Sequence, residues 1–193
     1  MIADKDRSGF FGASDTSKIM GNWKTATFEK WWLEKLGVVH NSFTTDAMEA
    51  GTQYEHKILA CIPECTEMDK QIIIGRLRVN LDGNSIDTIF ECKTYKAGKE
   101  FKVSKAYREQ VLVQMYGSGI RKAYIVAYPL TEEEYKNYFL PVDPNKITMH
   151  PTEYDEVFIS KYLLRLAYLT HCLEKGVFPN ETEFKMQSAQ SQL

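Results

Sequence analysis

Cysteine is scarce and unpatterned in this chain, and that excludes several classes at once. The four cysteines, Cys61, Cys65, Cys92 and Cys172, include no C-x-x-C pair, and Cys61 and Cys65 straddle Pro63. Neither a disulfide framework nor a zinc site reads from that spacing. Four thiols are enough for an iron–sulfur cluster, but reduced, mostly buried cysteines are the plainer reading. Long apolar runs are missing too, since no stretch approaches the roughly 18 apolar residues that a membrane span needs. The N-terminus, MIADKDRSGFFGAS, lacks the apolar core of a secretory signal. Repeats, low-complexity tracts and interdomain linkers are absent as well. Nor is there an excess of positive charge: 24 Lys and Arg against 26 Asp and Glu give a formal net charge of −2. The footprint of a wholly basic nucleic-acid binder is therefore missing. A site built on acidic metal ligands does not require it, because local basic patches coexist with a neutral total. The expectation is a soluble protein acting in the cytoplasm.

What is present suffices for a core. Hydrophobic residues make up 44% of the 193 positions and aromatics 12%, which fits one domain and excludes disorder as the default. We expect that domain over residues 1–184, followed by a polar, frayed tail over 185–193. Residues 15 to 20 and 27 to 36 read as helices, the second ended by Gly37. Trp31 and Trp32 are adjacent, point to different sides of that helix, and read as core or partner-facing residues. Thr44, Thr45 and Asp46 are good N-cap residues for a helix reaching about Ile62, with Ala47, Gly51, Tyr54, Ile58 and Ile62 as its apolar stripe. Glu55 falls at the margin of that stripe, where a carboxylate is costly unless a cation meets it.

The period then changes from 3.6 to 2. Over residues 76 to 82 apolar and polar residues alternate. Asp82-Gly83 is a hairpin turn signal, and a return strand from Ile86 to Tyr95 puts Asp87, Ile89, Glu91 and Lys93 on one face. A helix over 106 to 117, a buried strand over 122 to 130, a short helical stretch TEEEYKN and a strand around Ile147 to His150 follow. A long helix from about Asp155 to Lys175, stopped by Gly176, ends the pattern. The order implies an α/β or α+β fold, with a mixed central β-sheet flanked by helices.

The chemistry concentrates at the hairpin. The tripeptide E-x-K occurs five times, beginning at Glu55, Glu91, Glu100, Glu134 and Glu183. Only Glu91-Cys92-Lys93 lies on a clear strand after an aspartate-bearing segment. Residues i and i+2 of a strand share a face, so Glu91 and Lys93 project into one space, and Asp82 approaches from across the turn. Two carboxylates and an ammonium suit phosphodiester hydrolysis. Hard oxygens hold Mg²⁺ or Mn²⁺, which neutralises phosphate charge and lowers the pKa of a bound water. Burial and neighbouring carboxylates pull the Lys93 pKa in opposite directions, so positioning and charge stabilisation suit it better than a general-base role. Taken singly, Asp82-Gly83 also reads as a plain turn, Glu91 and Lys93 as a surface ion pair, and Glu55 as a solvated helix residue.

These motifs together resemble the PD-(D/E)XK nuclease superfamily, and within it the phage lambda exonuclease and YqaJ-type viral recombinase group. Arg7-x-Gly9 leading to Ala13-Ser14-Asp15, Gly51 to Glu55, Asp82-Gly83, Glu91-Cys92-Lys93 and Tyr107 to Met115 follow the order of the family's motifs. The resemblance implies a restriction-endonuclease-like core. It also implies that Asp82, Glu91 and the Cys92 carbonyl ligate the metal. Glu55 would take a second metal or a metal-bound water, Lys93 would serve the nucleophile, and Gln110 would fix Lys93 or water, with Gln114 in support. Arg7 and Ser14 would bind a DNA 5′-phosphate, though Ser14 also reads as an N-cap and Gln110 as a surface amide. Leu81 stands where many relatives have proline. The implied activity is Mg²⁺-dependent 5′→3′ exonuclease digestion of double-stranded DNA ends. It would work with a single-strand annealing protein in phage-type recombination, and the group links such digestion to a ring-shaped trimer. The alternatives are a structure- or sequence-selective endonuclease of the same fold and a catalytically silent DNA-binding or interaction module.

Overall fold

The computed structural model describes residues 8–40 and 44–190, with side chains through 187. The first strand, β1 (Phe11–Gly12), leads through a short 3-10 turn (Ala13–Asp15) into α1 (Thr16–Ile19). Two capped helices follow. In α2 (Ala26–Lys35) the Thr25 hydroxyl accepts from the Phe28 N–H, and in α3 (Asp46–Leu59) the Thr45 hydroxyl accepts from the Met48 N–H. Each satisfies a backbone donor that the first helical turn leaves without a partner.

Three strands come next: β2 (Glu67–Ile74), β3 (Leu77–Asn84) and β4 (Thr88–Lys96). A helix capped by Ser104, α4 (Lys105–Ser118), crosses back to β5 (Lys122–Leu130), which pairs parallel to β4 from Thr88 opposite Lys122 to Lys96 opposite Leu130. The chain ends in β6 (Thr148–Thr152), α5 (Glu156–Glu174) and α6 (Glu181–Gln190). The sheet runs β1-β3-β4-β5-β6, with β2 on the outer side of β3, and mixes parallel and antiparallel pairs. This is the mixed, helix-flanked sheet that the element order implied.

Two cores sit against the sheet. The larger joins Trp31 and Trp32 of α2 to Val79 and Leu81 of β3, Val111 and Met115 of α4, and Tyr162 and Leu169 of α5. The smaller packs Tyr54, Ile58 and Leu59 of α3 on Phe90, Val126 and Tyr128. Both tryptophans are buried, and their indole N–H groups donate to Asp15 and to the Val177 carbonyl.

Several expectations change. Asp82-Gly83 is no turn: both residues lie inside β3, and the reversal comes at Ser85 to Asp87, where the Ser85 hydroxyl and the Asp87 carboxylate bond one another. Asp87 therefore leaves the face of β4 that carries Glu91 and Lys93. Gly83 serves a close approach instead, since a Cβ there would lie 2.5 Å from the Cys65 sulfur and 3.2 Å from the Leu59 side chain. The stripe of α3 is rotated, with Ala47 exposed and Ala50 buried. The short helical stretch expected at TEEEYKN is a run of hydrogen-bonded turns, with the Tyr135 N–H donating to the Thr131 carbonyl and the Asn137 N–H to that of Glu133, and no regular helix forms. Thr131 and Glu134 cap each other reciprocally there, and Glu134 is drawn inward to the Tyr128 hydroxyl. Two strands outside the expected set, β1 and β2, join the sheet, and α6 runs across the boundary expected at residue 184.

Candidate active site

Asp82 sits where β3 loses its neighbours. On one side, pairing with β2 runs Met68 opposite Gly83 and Lys70 opposite Leu81, skipping Asp82. The residue at the skipped position, Asp69, has a left-handed φ of 59°, which costs a non-glycine residue on the order of 1 kcal/mol. On the other side, pairing with β4 is confined to Gly83 opposite Phe90 and Asn84 opposite Ile89. Beyond it the strands part, and the Asp82 carboxylate accepts the Cys92 N–H at 2.9 Å. The side chain thus replaces a missing backbone bond, and a cleft of about 210 Å³ opens at the gap.

That cleft gathers Glu55 from α3, Asp82 from β3, and Glu91, Cys92 and Lys93 from β4. Gly51 lets α3 approach β4 closely: a Cβ there would stand 3.1 Å from the Thr94 hydroxyl, tighter than ordinary contact. Glu91 is almost fully buried and held by three donors. Its Oε1 accepts from Lys93 Nζ and Gln110 Nε2, both at 2.5 Å, and its Oε2 accepts from Gln114 Nε2 at 2.5 Å. The second Gln114 amide hydrogen goes to the Asn80 carbonyl at 2.9 Å. Gln110 is thus no surface amide, and it bonds Glu91 rather than Lys93.

The electrostatics are strained in one direction. Burial, then the charges of Glu91 and Glu55, push the Asp82 pKa well above the usual carboxylate range. Burial followed by Glu91 raises that of Glu55. Burial works against the Lys93 ammonium, but Glu91 and Asp82 more than offset it and hold its pKa above the ordinary lysine value. Three carboxylates share one ammonium. The donors present are hard oxygens carrying more negative charge than Lys93 balances, and that set fits a divalent cation of the Mg²⁺ or Mn²⁺ kind. Each carboxylate oxygen has two lone-pair directions, so Glu91 Oε2 keeps one beyond Gln114.

A tighter group lies alongside. Among the described residues, Glu55, His56 and Asp69 offer ligand atoms within 4.8 Å of one another, with His56 Nε2 at 2.8 Å from Asp69 Oδ2. Glu55, Asp82 and Glu91 share the cleft without forming a group that compact.

The anion side of the cleft is only partly as expected. Ser14 is exposed, lines the cleft and caps no helix; Gly12 and Asp15 hold the cap positions around it. Arg7 lies outside the described residues. Lys35 and Arg78, which the motifs did not single out, line the cleft beside Ser14. Lys35 Nζ is 2.7 Å from Asp15 Oδ2, and both side chains are buried. Asp15 also accepts from the Trp31 indole and the Gly12 N–H at 2.9 Å each. Burial opposes the Asp15 charge, and Lys35 outweighs it, so its pKa falls below the usual value. The one sequence signal for Lys35 was its place four residues after Trp31, over whose ring its ammonium lies. Arg78 shares the alternation of Asn80 and Asp82 and could have been found from it.

Among the described residues no helix is long and apolar enough to cross a membrane. No curated protein matches the chain in sequence. Solved structures do match in shape. An alkaline exonuclease from Laribacter hongkongensis superposes with a TM-score of 0.67 at 19% identity, covering 97% of this chain and 96% of that one. The same enzyme in complex with dAMP gives 0.66. A phage-related exonuclease from Haemophilus somnus 129PT gives 0.61 at 14% identity, over 86% of this chain and 94% of its own. At such identities the likeness shows the fold, a restriction-endonuclease-like core. In sequence, residues 4–121 match the model of the YqaJ-like viral recombinase domain, more than half of the chain and every motif that feeds the cleft, and the protein belongs to that family.

Proposed function

We propose that the protein is a metal-dependent exonuclease that digests double-stranded DNA from its ends, 5′→3′, in phage-type recombination. The observation that carries this reading is the meeting of Glu55, Asp82, Glu91 and Lys93 in one cleft at the gap between β3 and β4. Family membership and the exonuclease neighbours support it.

Asp82, Glu91 and the Cys92 carbonyl would hold Mg²⁺, with Mn²⁺ able to substitute, and Glu55 would hold a second ion or a bound water. The ion supplies Lewis acidity and a water of lowered pKa. The protein's own groups do the positioning. Gln110 and Gln114 fix the Glu91 carboxylate, and the Cys92 N–H fixes that of Asp82. Lys93, kept charged by its neighbours, orients the attacking water and offsets the charge that develops on the phosphate oxygens. Ser14 and Arg7 would take the terminal 5′-phosphate, with Lys35 and Arg78 adding positive charge on the same side.

The proposed partners are double-stranded DNA and a single-strand annealing protein, the proposed assembly is a ring of three, and the proposed setting is the host cytoplasm. End-labelled linear duplex and closed-circular DNA, each with Mg²⁺, with Mn²⁺ and with EDTA, form the test. Progressive loss of the linear substrate only, and only with metal, is expected. Cutting of the circle would make the enzyme an endonuclease. Metal-independent loss, or none, would overturn the reading. Arg7→Ala should weaken the preference for 5′-phosphorylated over 5′-hydroxyl ends, and an unchanged preference would remove Arg7 from the pocket.

A further inference from the structure

Charge is unevenly placed along this chain. Six cations, Lys93, Lys96, Lys99, Lys102, Lys105 and Arg108, recur at every third residue from 93 to 108, against one carboxylate, Glu100, in a protein of net charge −2. Lys93 belongs to the cleft. The other five lie on the connection from β4 into α4, and all are exposed; the Lys102 and Lys105 side chains are 78% and 88% accessible.

Both ends of this connection are tied to the cleft. At the β4 end Lys93 bonds Glu91, and at the α4 end Gln110 bonds the same Glu91 oxygen. The intervening chain therefore leaves the candidate centre and returns to it. It is also braced from within. Gly98, at a φ of 84°, makes the turn in which the Lys99 N–H donates to the Lys96 carbonyl. Phe101 lies 5.2 Å from Tyr95, 5.1 Å from the His150 ring, and is stacked on Tyr107 at 6.3 Å and 7°. Tyr107 in turn lies under the Lys93 ammonium at 5.3 Å. These rings face one another and the core, so they are spent on holding the segment, not on stacking against bases.

We propose that Lys96, Lys99, Lys102, Lys105 and Arg108 form a surface that binds the phosphate backbone of DNA and leads it into the cleft; this rests on the nuclease reading above. The carboxylates that meet these cations compete weakly. Lys96 with Glu132 and Lys102 with Glu100 are surface pairs at 3.1 and 3.2 Å, each worth about 0–1 kcal/mol. Lys105 reaches the buried Glu109 at the longer distance of 3.6 Å, with its own side chain 88% accessible. A polyanion displaces them by releasing its own counterions, a gain that no single carboxylate matches. The braced segment also loses little freedom on binding. Recognition through phosphates alone is indifferent to base sequence, as digestion of any duplex end requires.

Fluorescence anisotropy of a labelled duplex oligonucleotide in EDTA, over a series of KCl concentrations, tests the surface without any cleavage. Lys99→Gln, Lys102→Gln and Lys105→Gln combined should weaken binding at low salt by about tenfold or more. The slope of log affinity against log salt should flatten by about 0.9 for each phosphate that is no longer neutralised. The melting temperature should fall by only a few degrees, because the three lysine side chains are solvated, so the loss of affinity is not a loss of fold. A control removing equal charge elsewhere, Lys161→Gln, Lys175→Gln and Lys185→Gln, should leave the slope as it was. Wild-type slope and affinity in the first triple variant, or equal loss in the control, would overturn the proposal. Failure of the nuclease reading would show separately, as wild-type protein that binds duplex DNA but never cuts it with metal.

Discussion

The Asp82 carboxylate accepts the backbone N–H of Cys92 at 2.9 Å at the point where β3 and β4 part. A sheet interrupted by a side chain leaves room for a ligand between strands, and the interrupting group is itself the acid that the site needs. Asp82→Asn keeps an oxygen for that N–H, so the fold should persist. Cleavage should fall by about two orders of magnitude or more as the charge needed for the metal is lost. Hydrolysis of end-labelled duplex and a thermal melt of the same sample check both halves. Residual activity near wild type would place the centre elsewhere.

The same carboxylate makes a pH signature. Its folded pKa is raised above the unfolded value, first by burial and then by Glu91 and Glu55. Between those two values the folded state holds more protons than the unfolded state. Stability from this group is therefore greatest at low pH and declines as pH rises through the window. In EDTA the melting temperature of Asp82→Asn relative to wild type should climb as pH rises above the ordinary carboxylate range. A saturating divalent ion should shrink that difference in the wild type's favour. A flat difference in EDTA would mean that Asp82 is not under such repulsion.

Gln114 is the hidden member of the cleft. One amide nitrogen serves both Glu91 and the Asn80 carbonyl. Gln114→Ala would leave a buried carboxylate oxygen and a carbonyl without donors, at a cost of about 1–3 kcal/mol. Urea unfolding should show that loss, and turnover should fall with it, since Glu91 is no longer held. Gln114→Leu, which fills the space without the amide, should be no better; recovery by leucine would make the residue a packing element only.

How much of this was readable follows the range of the interactions. Glu91 and Lys93 were legible because a strand places i and i+2 together, and the α3 cap because Thr45 and Asp46 act locally. β2 was not, since Lys70 to Ile74 show no alternation and Ile73 and Ile74 are exposed on an edge strand. Asp82-Gly83 misled because its glycine answers to Cys65 and Leu59, neither of which is near it in sequence. Lys35 was nearly illegible for the same reason: beyond its place on the Trp31 helix, its partner Asp15 lies on a separate element twenty positions earlier in the chain.

Gly83 tests that distinction directly. In a turn, alanine would be tolerated wherever φ is ordinary. Inside β3, its Cβ would meet the Cys65 sulfur and both Leu59 methyls, and overpacking of this kind costs about 1–3 kcal/mol. Gly83→Ala should lower the urea midpoint, and Cys65→Ala in the same chain should restore part of it. Absence of that rescue would mean the strain arises from the backbone.

Asp15 and Lys35 give the largest effect expected in the protein away from the metal ligands. Both are buried, and Asp15 holds the Trp31 indole, the Gly12 N–H and the Lys35 ammonium together. Removing one partner of a buried pair costs about 3–5 kcal/mol, because the remaining charge has nowhere to go. Lys35→Met should therefore destabilise severely. Asp15→Asn with Lys35→Met, which removes both charges and keeps volume, should recover much of the loss. The folded pKa of Asp15 lies below its unfolded value, so the stability it contributes is present above the ordinary carboxylate pKa and is lost as pH falls through the folded one. The double variant should accordingly lose less stability than wild type on acidification. If it is instead as acid-sensitive as wild type, the buried Asp15–Lys35 pair is not what acid breaks.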